Sequence, residues 1–478
     1  MNVVFVSSYI RYLGASGYGL IGVFMLLVAL MTLLDFGMAP MISREMARLQ
    51  VVPGGGSLVR WLLRGAEVVV ACLALVAALL LFVASGWLVD HWLDARALPR
   101  DQVVFALRVM GLLVALRLGE NVYRSALIGL QRQVLLNAVL VLTATLRNVG
   151  AYLVLAWYAP TVNAFFEWQL LAGVVAVVAF AAAAYAYMPS PGSEPFTFAP
   201  LRAAWRFAAG TMIVASLAVL LGNLDKVLLT RLLPLDIFGY YALAFVVAQV
   251  PLGFVRPIAQ AYYPKLTQRW ASGDAALAAD YHFGSQLVAV LLCSATAFLV
   301  ILGRPVLMLW LHDAHIVNRV EALVAILSLG SMLNGLMTLP YFLQLAAGWT
   351  RLTITMNAFA LCIIAPALWL LVPRFGPLAA AWCWLALNAG YLVVTVPLMH
   401  RRLLQGHMAR WYLQDILPPA ASANVVALAW RMVLPTSTGL GGWFWLAGAG
   451  ATVLAAAVVA SPLSRALVRQ CLWLRSAA

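Results

Sequence analysis

Charge is what this sequence has least of. Only 10% of its 478 residues are Asp, Glu, Lys or Arg, against roughly 25% in soluble domains. So little charge cannot cover a water-soluble body of this size. Lysine is nearly absent, with Lys226 and Lys265 alone; no GxxxxGK[ST] phosphate loop exists, so the chain is not itself an ATPase. Long polar segments are missing too. The longest clear connections, 188–205 and 265–284, are too short for a folded domain outside the membrane, and no nucleic-acid partner is expected. The five cysteines are odd in number and mostly inside apolar runs, which implies no disulfide framework. His312, Asp313 and His315 in "HDAH" sit in a polar loop, and that spacing alone does not make a metal site. No metal or cofactor is expected.

What remains is apolar. Hydrophobic residues make up 65% of the chain, the mean hydropathy is +0.96, and runs of about 20 apolar residues recur, enough to cross a bilayer as helices. Lipid offers no partner to an open backbone, so an all-α polytopic membrane protein follows. Thirteen spans are read, beginning with 18–42 and ending with 417–435 and 440–461; 206–233, 238–260 and 285–311 lie among them. Met1 to Leu13 precedes these with too few apolar residues before Arg11 to span, and it lacks the marks of a signal peptide. Two readings stay open for it, a shortened first helix or a start further upstream. Counted as helix one, it brings the total to about fourteen.

Basic residues set the orientation. With a cytoplasmic N-terminus, the even-numbered connections and the C-terminal tail hold 17 Arg and Lys residues and the odd ones hold 8. Both termini are therefore expected inside, which requires an even helix count. This bias accounts for most of the formal charge of +14, since basic loops attract anionic lipid. It leaves five basic residues inside spans: Arg108, Arg117, Arg147, Lys226 and Arg256.

A repeat is also visible. "RYLGASGYGLIGVF" from Arg11 resembles "RLLPLDIFGYYALAF" from Arg231, pairing Gly19 with Gly239 at an offset of 220. "GLQRQVLLNA" from Gly129 resembles "GWTRLTITMNA" from Gly348, pairing Asn137 with Asn357 at the same offset. Six helices per unit put equivalent positions in one orientation, the parallel kind of repeat. The expected architecture is two pseudo-symmetric six-helix lobes, 1–187 and 206–400, joined by a cytoplasmic linker at 188–205. Two further helices and a basic tail occupy 401–478.

These stretches carry a resemblance. "RYLGASGYGLIGVFMLLVALMTLLDFGMAPMISREMARL", the "GLQR" after the fourth helix, and "NLDKVLLTRLLPLDIFGYYALAF" with "YYPKL" resemble the polysaccharide biosynthesis (oligosaccharide flippase) family of the multidrug/oligosaccharidyl-lipid/polysaccharide exporter superfamily. The likeness runs in order along nearly the whole chain, apart from the shortened first helix. It implies two six-helix lobes and transfer of polyprenyl-pyrophosphate-linked oligosaccharide across the bacterial inner membrane, beside polysaccharide polymerase and glycosyltransferases, with no enzymatic step.

The buried polar residues suit such a cargo. Its head is an anionic pyrophosphate beside many hydroxyls, and the planar fork of arginine matches phosphate with paired hydrogen bonds. Arg117, Glu120 and Arg124 follow i, i+3, i+7 and form one stripe on the 103–130 span. Arg108 lies on the opposite face, either snorkelling to the interface or lining a cavity. Arg147 sits mid-span. Arg256, between Pro251 and Pro257, either serves carbonyls freed by the prolines or lines the cavity. Asp225 and Lys226 are neighbours pointing about 100° apart, so they are not expected to neutralise each other. Either both lie near the interface, where water reaches them, or they face the cavity, with Lys226 meeting the anionic head or an Asp and Asp225 the candidate for coupling to an ion. Asp35 is read as a helix cap and Glu167 as interfacial. Two other classes stay open. A cation-coupled exporter of drugs or metabolites should have a more apolar and acidic cavity. A membrane polymerase or ligase should display a sizeable outer loop.

Overall fold

Apolar runs in lipid must bond their own backbones, and the chain does so as a succession of helices. The computed structural model describes residues 2–35, 37–50, 55–188, 197–433 and 439–462. Two units emerge, Met1–Gly239 and Tyr240–Ala478. They divide within a helix; of the expected linker at 188–205, positions 189–196 lie outside the described residues and 199–205 are already helical, the start of Ala199–Leu232. Twelve helices among the described residues are long and apolar enough to cross a membrane. The two remaining expected spans correspond to the segment before Gly14 and to the helix Ala199–Leu232.

The first unit holds α1 (Asn2–Leu34), α2 (Met38–Gln50), α3 (Gly55–His91), α4 (Arg100–Gly129), α5 (Gln133–Leu153, running on as a π turn to Tyr158), α6 (Val162–Ala186) and α7 (Ala199–Leu232). Residue Gly14, at φ +71°, breaks α1 into two segments. The expected span 18–42 is shorter than read, ending at Leu34. Asp35 accepts from the Ala39 amide at 3.1 Å and so starts a separate helix, as its capping role requires. This helix, α2, is amphipathic, burying Met38, Met41, Ile42 and Met46 against Leu62 and Leu63 of α3. Charge on its other face explains why it does not prolong the span.

The second unit holds most of α8 (Leu235–Ser272), then α9 (Leu277–Ile301), α10 (Gly303–Leu311), α11 (Ala314–Leu336), α12 (Thr338–Ala346), α13 (Arg351–Phe375), α14 (Pro377–Gly390, with a π turn to Thr395), α15 (Val396–Leu403), α16 (Met408–Arg410), a π-helical turn Trp411–Ile416, α17 (Leu417–Val433) and α18 (Leu440–Ala460). The expected span 285–311 is broken between α9 and α10. Small residues let α17 and α18 approach α9: Ala297, Ala423, Ala427 and Ala457 form one buried cluster, the usual way to bring helices close in lipid.

The 220-residue offset recurs in the helix boundaries. Adding 220 to Gly14 gives Pro234, between α7 and α8; α5 maps onto α13, and α3 onto α9 with α10. The most direct sign is a reciprocal contact at one crossing. A Cβ added at Gly19 would collide with the Leu235 carbonyl, and one at Gly239 with the Ala15 carbonyl. Each glycine meets the residue that lies 220 positions from the other's partner. Only glycine lets the backbones come this close. The fold class is therefore as expected: all-α, about fourteen spans, two repeats and two added helices.

Candidate functional site

The polar site of the first unit is built on Glu120. It is almost wholly buried in α4, its side chain 2% exposed. Helical spacing brings Arg117 and Arg124 to it from the same helix. Arg117 Nη1 lies 3.3 Å from Oε2, and Arg124 Nη1 lies 4.0 Å from Oε1. The third cation comes from another helix: Arg147 of α5, itself buried, donates from Nη2 to Oε2 at 2.8 Å. Three guanidinium groups face one carboxylate, leaving two positive charges in excess. Among the described residues no other carboxylate lies within ion-pair distance of the three.

Arg117 and Arg147 open into a cavity of about 180 Å³ between α1, α4, α5 and α6. Its other walls are apolar and aromatic, Phe24 and Phe165 among them, with Tyr9, Asn148 and Gln169 as polar members. Hydrogen bonds fix this wall. Tyr9 donates to the Asn148 carbonyl at 3.1 Å, Gln169 to the Arg147 carbonyl at 3.3 Å, and Trp168 to the Leu146 carbonyl at 3.1 Å. The backbone of α5 is thereby held at three consecutive carbonyls, from α1 and α6, so the Arg147 fork is pre-positioned. Sequence reasoning did not single out Tyr9, Asn148 as a lining residue, or Gln169. The "FFEWQ" stretch carried the signal, but its buried polar residue is Gln169; Glu167 is exposed.

Arg108, Asp225 and Lys226 make other contacts. Arg108 faces α3, donating to Ser85 at 3.3 Å with its guanidinium 4.5 Å from the centre of the Phe82 ring. It is not part of the Glu120 group. The Arg256 side chain lies outside the described residues. Asp225 and Lys226 differ from expectation: Lys226 Nζ reaches Asp225 Oδ1 at 3.1 Å and Oδ2 at 3.3 Å, and also the Gly222 carbonyl at 3.2 Å. The 100° between neighbours is correct for Cβ directions, but four methylenes let the ammonium fold back across it. Asp313 caps α11, accepting from the amides of His315 at 2.8 Å and Ile316 at 3.2 Å. No cluster with metal-ligand geometry occurs among the described residues.

A two-repeat, all-α fold of about fourteen spans places the chain in a class, the multi-pass membrane transporters and flippases. The chain belongs to the polysaccharide biosynthesis protein family, whose model matches residues 1–270. Its fold is similar to that of the lipid II flippase MurJ in an inward closed conformation, with a TM-score of 0.68 at 10% identity over 98% of this chain and 97% of that one. It is also similar to an inward-facing multidrug resistance MATE family transporter of the MOP superfamily. That likeness has a TM-score of 0.67 at 13% identity, over 84% of this chain and 93% of that one. No curated protein matches it by sequence.

Proposed function

We propose that this protein is a flippase, moving polyprenyl-pyrophosphate-linked oligosaccharide across the bacterial inner membrane by alternating access for surface polysaccharide biosynthesis. It is a carrier and not an enzyme, with both termini cytoplasmic. The observation that carries the reading is the charge imbalance around Glu120. Three arginines share one carboxylate inside an apolar protein, and a net positive charge in such a place is costly unless an anion meets it. A cavity of about 180 Å³ has the liquid volume of about six waters, room for one small anionic group. Arg117 and Arg147 hold the pyrophosphate, Arg124 adds charge from the rim, and the polyprenyl tail stays in lipid. Family membership supports a role in polysaccharide synthesis, and the fold suits a lipid-linked cargo. Asp225, paired with Lys226, is the candidate for coupling to an ion. Polysaccharide polymerase and glycosyltransferases are the expected neighbours in the same process.

The experiment is glycan export in cells. Arg117→Ala abolishes export at normal protein abundance, and Arg117→Lys, which keeps the charge but loses the fork, retains part of it. Full export by Arg117→Ala at normal abundance refutes the assignment. A cation-coupled exporter of drugs or metabolites would instead leave glycan export untouched and lose resistance to a toxic compound.

A further inference from the structure

The second unit contains a buried polar cluster that no part of the pyrophosphate site uses. At the start of α9, His282 is 1% exposed, and its Nδ1 lies 2.5 Å from Oδ2 of Asp415, which is fully buried in the π-helical turn 411–416. Gln286, one turn along α9, donates to Asp415 Oδ1 at 2.8 Å. On the other side of the ring, His282 Nε2 lies 2.9 Å from Nδ1 of His407, which is half-buried in the connection between α15 and α16.

With Asp415 ionised, hydrogen-bond chemistry assigns the protons. A carboxylate only accepts, so His282 Nδ1 carries a hydrogen. With a neutral ring, His282 Nε2 is then bare and accepts from His407 Nδ1–H. That leaves His407 Nε2 bare, and it has no hydrogen-bond partner among the described residues. A proton arriving there has a path inward. As His407 Nε2 gains it, the Nδ1 proton passes to His282 Nε2. His407 ends neutral, and His282 ends as an imidazolium against the Asp415 carboxylate. One proton is bound in all, and a buried negative charge is neutralised. Burial, then His282 and Arg410, hold His407 below the ordinary histidine value while Asp415 pulls upward, and the Asp415 carboxylate set against His282 Nδ1 is what draws the charge inward.

The neighbouring groups do not compete for this proton. His400 of α15 has Nδ1 3.0 Å from the Val396 carbonyl and Nε2 3.4 Å from the Tyr281 hydroxyl, so both ring nitrogens are already engaged. Asp280 is engaged by Lys265 and Arg269, Arg402 packs on Trp349, and the Tyr412 hydroxyl donates to the Leu392 carbonyl. Arg401 is exposed.

The fold does not need these polar residues. At the 220-residue offset, His282, Gln286 and His400 correspond to Leu62, Ala66 and Phe180, all fully buried and apolar. The π turn that presents Asp415 is itself a form concentrated at functional sites.

We propose that His407, His282 and Asp415 form a proton-binding relay in the second unit, taking one proton at His407 and holding it on His282 beside Asp415. Its bearing on the transport cycle rests on the flippase reading; the binding of the proton does not. The test is proton uptake by the full chain in lipid nanodiscs, read with a pH-indicator dye as pH is stepped from about 8 to about 5, across the histidine range. His407→Gln takes up about one proton fewer per chain. Asp415→Asn loses the same proton although no histidine is removed, and the double variant loses no more than either single. Uptake by Asp415→Asn equal to wild type overturns the relay. Should Asp415→Asn fail to fold, pH-difference infrared spectra of wild type and His407→Gln decide. A shifted carboxylate band, without a new carboxylic-acid band, is expected in wild type and absent from His407→Gln; its persistence there refutes the proposal. Because neither readout needs substrate, loss of glycan export alone cannot be mistaken for failure of the relay.

Discussion

Removing the shared carboxylate of the first unit tests the electrostatic core of the argument. In Glu120→Gln the side chain keeps its shape and loses its charge, so three arginines face each other with no counter-ion. The strongest pair is Arg147–Glu120 at 2.8 Å, with both side chains under a tenth exposed. At an effective dielectric of about 20, two unit charges at that separation attract by roughly 6 kcal/mol. Desolvation offsets part of this, and breaking a buried pair by removing one partner typically costs about 3–5 kcal/mol. Arg117 is about a quarter exposed and Arg124 more than a third, so water screens much of their share. The expected result is a fall in the apparent melting temperature of the purified protein, equivalent to about 3–5 kcal/mol. Glu120→Gln combined with Arg147→Met recovers part of it, because the stranded charge is gone. Inorganic pyrophosphate stabilises Glu120→Gln more than wild type, since the charge excess rises from two to three. A Glu120→Gln protein as stable as wild type, with no added response to pyrophosphate, refutes the claim that the arginines are held by this one carboxylate.

Other expectations follow from particular contacts. Gly19→Ala and Gly239→Ala each force a Cβ into a backbone carbonyl and should lower stability by about 1–3 kcal/mol; thermal unfolding of either variant at the wild-type temperature would falsify the close crossing. Burial holds the Asp35 carboxyl above its ordinary value, against the Ala39 amide and Asn121, which lower it. The folded chain therefore binds that proton more readily than the unfolded chain, and Asp35 works against stability once pH exceeds the raised value. Asp35→Asn keeps an acceptor for the cap, so it should be neutral to stabilising at neutral pH and lose that advantage in acid; marked destabilisation at pH 7 contradicts this. For orientation, cysteines placed within 265–284 should be shielded from an impermeant thiol reagent in intact cells and those near Asp313 labelled. The reverse pattern inverts the topology.

Much of this molecule was legible without coordinates. Charge scarcity and apolar run length are read by the bilayer residue by residue, so span number and helical class needed no tertiary information. The offset of 220 was readable because a duplicated chain keeps its register, and Gly19 with Gly239 lay within it. The stripe of Arg117, Glu120 and Arg124 followed from helical spacing alone. Tertiary structure decided what lies across that stripe. Arg147 is 27 positions from Glu120 and shares no period with it; only the packing of α5 on α4 brings its fork to the same oxygen. Lys226 folded back on its neighbour because a flexible side chain is free of the Cβ geometry that sequence spacing describes. His282 and Asp415 are 133 positions apart, on elements with no shared pattern. A buried polar pair of that kind is written in the docking of helices, which depends on the whole chain at once.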